Sequence, residues 1–450
     1  MMKIQLVSAL LYVFLILPCK GQNKDFRNIK IEKIDSYLSS ANKAYRFNGT
    51  ALIYHKGKIL LNKGYGFRNF STKQKNTPKT RFPILSITKT ITAAIILKLH
   101  DEGRLSLNDN LRSYFPDYPN GSKIKISHLL NHTSGIYNYT VDVGEEDSLI
   151  VNYPIPKTFV LDHFKNKPLD FEPGQYYSYN NSAYFLLGLI IEKIVGKPYE
   201  AVVRDIVFNP LEMHDSGFDF INLPNSARAQ GYQFWTKDHI KPYKHYDSTF
   251  AYSAGSIYST STDLFRWAKA VSEQKILKRK TWKQAFTPNL NNYGYGWEIG
   301  VFSGKNYIKH SGGYPGFMSE LIYYPKEDAI IVLLNNFGNY NQNVWSIGMG
   351  VSSILFNLPY DNWKLRKEIH ADDSILNEYS GIYKLNGKKS IDITLKDNTL
   401  FLNNGYGEQK LHAESETVFY LENFNTQITF GYKSMLLHEH GQTTNWVKIN

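Results

Sequence analysis

Strand-like runs at both ends of a long segment, with apolar helices between them, constrain this chain more than any other feature. Near the N-terminus, 48–54 and 58–64 alternate as two strands, with His55-Lys56-Gly57 as their turn. Far downstream, 306–310, 318–324 and 329–335 do the same, and 325–328 turns the chain between the last two. Between these ends lie two helices. The first, 84–100, sets Ile87, Ile91, Ala94, Ile95 and Leu99 on one face, with Gly103 just beyond its end. The second, 182–195, is stopped by Gly196 and Pro198. Strand–helix–strand alternation would suit a parallel sheet. This order predicts instead an antiparallel sheet whose edges come from distant segments, and an α+β class.

The pattern changes near Leu376. From there, short alternating runs follow one another at 391–395, 399–402, 418–421, 427–430, 435–438 and 446–449. Turn residues such as Asn403-Asn404-Gly405 separate them. That spacing predicts a small all-β barrel or sandwich. The boundary falls near 359–373, giving a first domain over 22–365 and a second over 372–450. A chain of 450 residues is long enough for two or three domains.

Residues 1–21 predict an export signal. Lys3 supplies the positive start and 6–17 an apolar run too short for a bilayer span. Cleavage after Gly21 would remove Cys19, the one cysteine of the chain, and leave a protein without thiols. Acylation of Cys19 is the weaker alternative, because Pro18 stands where a small residue is wanted. No later run is long enough to span a membrane. The expected location is outside the cytoplasm, periplasmic or secreted.

The formal charge is +12, from 52 basic and 40 acidic residues. The lysines are scattered and no Arg-rich cluster occurs, so a solvated surface is expected rather than a nucleic-acid groove. Three common catalytic signatures are missing: GxxxxGK[ST], HExxH and GxSxG. That argues against a P-loop enzyme, a zincin and a typical α/β-hydrolase.

What remains is a serine–lysine arrangement. Ser86-Ile87-Thr88-Lys89 puts a hydroxyl and an amine three residues apart at a helix start, on one face. A neutral amine there can take the serine proton, and burial drives a lysine toward neutrality. The same spacing occurs at Ser40/Lys43, Ser122/Lys125 and Ser272/Lys275, where an exposed serine and a solvated lysine are expected. Ser86 differs because apolar residues flank it on both sides, and a polar pair in such surroundings needs partners. A second element is Tyr179-Asn180-Asn181. In an extended segment alternate residues point the same way, so the phenol and the amide of Asn181 would face one site. YxN also occurs at Tyr118/Asn120 and Tyr360/Asn362. The third element is His310-Ser311-Gly312-Gly313 at a strand end. There glycine lets a substrate backbone approach, and the Gly313 amide with that of Ser86 could form an oxyanion hole.

In this order, SxxK, YxN and HxG, the chain resembles the serine β-lactamase and penicillin-binding protein superfamily, on its class C β-lactamase-like branch. Further stretches carry the likeness: His128-Leu129-Leu130-Asn131-His132-Thr133-Ser134-Gly135, Pro173-Gly174 through Tyr179 to Leu187-Gly188, Asn209-Pro210-Leu211-Glu212-Met213, and Tyr295-Gly296-Trp297. The resemblance covers roughly 31–356. It implies an antiparallel sheet flanked by helices plus an all-helical subdomain. It implies Ser86 as nucleophile, Lys89 as its base and Tyr179 as second acid/base group. Asn181, His310, Ser311, Gly312 and Gly313 would bind substrate. His310 stands where most β-lactamases carry the lysine of KTG, and no KTG occurs in the chain. A histidine is largely neutral at pH 7, so a substrate carboxylate would be held less firmly. The tail, opening with Tyr379-Ser380-Gly381-Ile382-Tyr383, is similar to the lipocalin-like β-domain appended to some of these hydrolases.

The expected function is an exported serine hydrolase that forms an acyl-enzyme on Ser86. Its expected substrate is an amide or ester, with a D-amino-acid peptide favoured, as in D-Ala-D-Ala carboxypeptidases and D-aminopeptidases. A β-lactamase, a promiscuous esterase and a non-catalytic penicillin-binding sensor are the alternatives. No metal or organic cofactor is implied. The expected partner is a small-molecule or peptide substrate, cell-wall peptide among them, and the oligomeric state is open.

Overall fold

Strand β1 (Gly49–His55) and the hairpin strand β2 (Lys58–Tyr65) behave differently toward solvent. β1 is buried along its length except at His55, while β2 alternates and forms an edge. The reason is visible in the computed structural model, which describes residues 22–141, 154–236, 239–243, 247–338, 344–387, 389–405, 407–422 and 424–449. The expected export signal and Cys19 lie outside the described residues. β1 pairs on one side with β2 and on the other with a strand nearly 300 positions downstream, in the register Gly49↔Asn335 to His55↔Ala329. The full sheet has six antiparallel strands in the order β2-β1-β6-β5-β4-β3, where β3 is Glu298–Phe302, β4 Lys305–Tyr314, β5 Phe317–Tyr324 and β6 Ala329–Asn335. The expected antiparallel sheet of distant segments is therefore present. β3 and the extension of β4 through Tyr314 were not anticipated.

The alternation in β6 divides the interior in two. Ile330, Val332 and Leu334 face one core. Ala329, Ile331 and Leu333 face the other. With both faces covered, the strand is a continuous apolar run. The first core lies under helices α2 (Thr88–Asp101), α3 (Asn181–Val195), α4 (Ser248–Gly255) and α5 (Ser261–Ser272). The second lies under α1 (Gln22–Lys43) and α6 (Trp345–Leu355), on the opposite face of the sheet. α2 is buried almost all round and packs on α3 and α4, which makes it the hub of the first core. It begins at Thr88 rather than at residue 84. Residues Leu85–Ile87 form a tighter turn, because Leu85 has φ 53° and cannot belong to a regular helix.

The tail forms a separate nine-stranded antiparallel sheet, from Gly381–Leu385 to Gln442–Lys448. Its two terminal strands, Glu408–Lys410 and His412–Ala413, are separated in sequence only by Leu411. The sheet therefore curls until its ends meet, a nearly closed barrel. Tyr383, Ile393, Phe419, Ile428, Phe430, Met435 and Trp446 fill it. The last strand starts at Gln442, four residues before the expected one, because its first half is exposed and carries little hydrophobic signal.

Residues 359–371 join the two parts without regular structure. Trp363 anchors this strap: its indole donates to Tyr37 Oη at 3.0 Å and its amide to Ser40 Oγ at 2.9 Å. Asp361 accepts from the Gly441 amide at 2.6 Å and meets His438 Nε2 at 2.9 Å. Arg46 bridges to Glu422 at 3.0 Å. Among the described residues, no helix is long and apolar enough to cross a membrane.

Candidate active site

Ser86 occupies the turn between a short extended pair and α2. Phe82–Pro83 pairs with Tyr258–Ser259, and the Ile84 amide donates to Ile257 O at 2.9 Å. Ser319 Oγ on β5 donates to Ile84 O at 2.8 Å. These bonds clamp the turn from two sides. They hold Leu85 in the left-handed region, a conformation that costs a leucine about 1–3 kcal/mol. Ser86 is thereby left half-buried while its neighbours Leu85 and Ile87 are buried. Gly312 on β4 is pressed against the same turn. A Cβ there would stand 2.4 Å from Ile84 O and 2.4 Å from Ser319 Oγ. At Gly313 a Cβ would meet only Met318, at 3.4 Å.

Lys89 lies one turn along α2 with 0% exposure. The lysines of the other three SxxK matches, Lys43, Lys125 and Lys275, are exposed. Lys89 Nζ has three partners: Ser86 Oγ at 2.9 Å, Asn181 Oδ1 at 2.8 Å and Ala254 O at 2.8 Å. Two of these are carbonyl oxygens and can only accept. A neutral amine has two hydrogens and a lone pair, so the hydrogens go to Asn181 and Ala254 and the lone pair meets the Ser86 hydroxyl. Burial holds the Lys89 amine well below the usual lysine range. Burial thus favours the neutral state, in which Nζ can take the Ser86 proton.

The YxN segment reaches the amine from the other side. Asn180 is extended at φ −142° and ψ 117° and caps α3, its Oδ1 accepting from the Ala183 amide. Tyr179 and Asn181 thus share a direction and Asn180 turns away, as alternation predicts. Lys89 Nζ lies 4.9 Å from the centre of the Tyr179 ring. The Tyr179 phenol is raised by burial, and its contact with Ser86 pulls the other way. Asn181 is itself held: its amide donates to Asn138 Oδ1 at 3.2 Å and its Nδ2 to Thr140 Oγ1 at 3.0 Å.

His310 is buried and both its ring nitrogens are engaged. Nδ1 lies 2.6 Å from Ser311 O, which can only accept, so Nδ1 carries the hydrogen. Nε2 then accepts from the Tyr293 hydroxyl at 2.9 Å. Burial lowers the ring to about 4, and the imidazole is neutral at pH 7. The Ser311 hydroxyl sits in a charged cluster under α6. Lys309 Nζ donates to it at 2.9 Å, and it donates to Glu320 Oε2 at 2.7 Å. Lys309 also pairs with Glu298 at 2.8 Å and stacks over Trp345. Burial is the main cause that raises the Glu320 carboxyl to about 7, with the Glu298 charge adding to it. Burial opposes both shifts, but Lys309 holds Glu298 low, and Glu320 followed by Glu298 holds Lys309 high. The pairing of β3 with β4 ends at Glu298↔Lys309. Beyond it no described strand pairs with residues 310–314 on that side, although the Glu298 carboxylate accepts from the Ser311 amide.

Sequence reasoning had not reached Asn138, Thr140, Tyr293, the Ala254 carbonyl or the ring of His132. The first two stand just after the HTSG stretch and Tyr293 just before Tyr295-Gly296-Trp297, so proximity to those motifs was the one available signal. A backbone carbonyl leaves none.

Comparison with known proteins gives the family and the fold. The Beta-lactamase family profile matches residues 34–344. The chain is 26% identical over 451 aligned residues to Penicillin-binding protein 4* of Bacillus subtilis (strain 168), covering 93% of this chain and 99% of that protein. It is 30% identical over 309 residues to Putative penicillin-binding protein PbpX of the same strain, covering 68% and 74%. The crystal structure of D-amino acid amidase from Ochrobactrum anthropi SV3, complexed with L-phenylalanine, superposes with a TM-score of 0.64 at 21% identity. It covers 74% of this chain and 97% of that one.

Proposed function

Because the chain belongs to the Beta-lactamase family of penicillin-binding-protein-like serine hydrolases, we propose that Ser86 is its nucleophile and that it hydrolyses an amide or ester of a D-configured peptide through an acyl-enzyme. The observation that carries this reading is the trio around the buried Lys89 Nζ, which Asn181 Oδ1 and Ala254 O hold at 2.8 Å each, within 2.9 Å of Ser86 Oγ. Ser86 Oγ bonds to the substrate carbonyl carbon as its proton passes to Lys89 Nζ. The developing oxyanion is assigned to the amides of Ser86 and Gly313, with the N-terminus of α2 adding a favourable field. The C–N or C–O bond then breaks and the leaving group takes a proton from the Lys89–Tyr179 pair. Water then attacks the ester carbon and gives a proton to the same pair; the C–Oγ bond breaks, Ser86 Oγ takes that proton back, and the acid is released.

Within this scheme Asn181 and the edge at 310–314 hold the substrate backbone. The neutral, internally satisfied ring of His310 supplies no charge for a carboxylate. That favours substrates of the D-amidase or D-aminopeptidase type over carboxypeptidase substrates and β-lactams, both of which carry one. Action outside the cytoplasm, on cell-wall peptide, is part of the proposal.

Two measurements test it. A fluorophosphonate probe is expected to add to the intact protein at one site, mapped to the peptide containing Ser86, and Ser86→Ala is expected to abolish the adduct with the fold unchanged. An adduct elsewhere removes Ser86 from the mechanism. Relative kcat/KM for a D-alanyl-D-alanine peptide and its C-terminal amide is expected to favour the amide. A strong preference for the free carboxylate, or for a cephalosporin, overturns the substrate assignment.

A further inference from the structure

The loop that faces the YxN segment holds a buried group that the reaction does not consume. His132 has 0% exposure. Its carbonyl accepts the Ser178 amide at 2.9 Å and its ring Nδ1 accepts the Asn180 amide at 3.1 Å. One residue therefore grips the backbone on both sides of Tyr179. Its backbone, at φ 61°, lies in the left-handed region, which histidine and asparagine enter more readily than most side chains.

The ring also packs on the phenol it flanks. Its centroid is 4.4 Å from that of Tyr179, 5.1 Å from Tyr184 and 4.6 Å from Tyr293. An amide N–H can only donate, so Nδ1 is the acceptor and Nε2 carries the hydrogen. Nε2 has no hydrogen-bond partner among the described residues. A buried polar atom without a partner is costly, and a phenylalanine would fill this space without that cost. Core packing alone does not account for a histidine here. The bond from the Asn180 amide to Nδ1 does.

We propose that His132 is a positioning residue, which sets Tyr179 and with it Asn181 against Lys89 and Ser86. This rests on the reading of Tyr179 as a proton donor to the leaving group. It predicts an effect confined to leaving groups that need a proton. A p-nitrophenolate departs without one and a methoxide does not.

The experiment compares the p-nitrophenyl and methyl esters of N-acetyl-D-alanine on the full chain, in wild type, His132→Phe and His132→Asn. Phe keeps the ring and loses the acceptor. Asn places an oxygen near the position of Nδ1. The ratio of kcat/KM for the methyl over the p-nitrophenyl ester is read within each variant, so the folded fraction and the shared hydrolysis of the acyl-enzyme both cancel. We expect this ratio to fall at least tenfold in His132→Phe and to stay within about threefold of wild type in His132→Asn. An unchanged ratio in His132→Phe overturns the positioning role, as does an equal fall in both variants. The wild-type adduct at Ser86 separates this from the underlying mechanism: no adduct sinks both, whereas an adduct with an unchanged ratio sinks the positioning role alone. A wild type that is labelled but releases no methanol overturns proton delivery by Tyr179, and this proposal with it.

Discussion

Among the three partners of Lys89 Nζ there is no carboxylate to hold a positive charge, and burial alone shifts the amine toward its uncharged state. A base must be neutral to accept a proton. The rate of fluorophosphonate labelling is therefore expected to hold from alkaline pH down into a range well below the usual lysine value and to fall only below that. A fall with an apparent pKa near that of a free lysine would show the amine charged in the resting enzyme. Lys89→Met keeps the length of the side chain and removes the lone pair. Its labelling rate is expected to fall about 10²–10⁴-fold, the usual worth of a general base. Rates within tenfold of wild type would assign the proton elsewhere. Ser86/Lys89 stood out in the sequence by its apolar flanks, and burial separates it from the three other SxxK matches. The Ala254 carbonyl that completes the trio could not be read, because it comes from a backbone more than 160 residues away and any residue would supply it.

Strand β4 serves two faces at once. His310 and Gly312 point to the helices of the first core, while Lys309 and Ser311 point under α6. Gly312→Ala would drive a methyl group into Ile84 O and Ser319 Oγ. It is expected to cost about 1–3 kcal/mol by overpacking and to slow labelling of Ser86, since the same contact fixes the nucleophile turn. Thermal melting and probe kinetics check both parts, and a variant normal in both would show that the turn yields freely. On the other face, one cation serves two carboxylates. Lys309 and Glu298 are ionised as a pair, and Glu320 retains its proton to about 7. A carboxyl whose folded pKa lies above its unfolded value stabilises the fold below the unfolded pKa of about 4.5, and loses that contribution as the pH rises through about 7. The melting temperature of the wild type is expected to drop between about pH 4.5 and 7 more than that of Glu320→Gln. Equal slopes would show that Glu320 is not the titrating group. Alternation along β4 made its strand character legible, but the sequence does not say which face receives a charge.

At the scale of the whole molecule, the core of the tail barrel is separate from the two cores on the six-stranded sheet, which predicts two separable units joined by an exposed strap. Leu365 and Ile369 lie on that strap and are 64% and 38% exposed. Limited proteolysis is expected to cut first within 364–371 and to yield fragments near the division proposed at 365 and 372. Initial cleavage inside either sheet would refute that division. Trp363, buried against Tyr37, holds the strap down. Trp363→Ala is expected to lower stability by about 3–5 kcal/mol and to speed the cut, and unchanged proteolysis would show the strap held by other contacts. By itself the chain's order of residues determined the antiparallel class, the short-stranded character of the tail, and the serine, lysine, tyrosine and asparagine that would meet, because periodicity and motif spacing are local properties. Only the tertiary structure decided that β1 and β6 lie side by side, that the amine is sealed from water and that the His310 ring is turned inward and satisfied. Those outcomes depend on which distant surfaces exclude solvent together, and no local pattern records that.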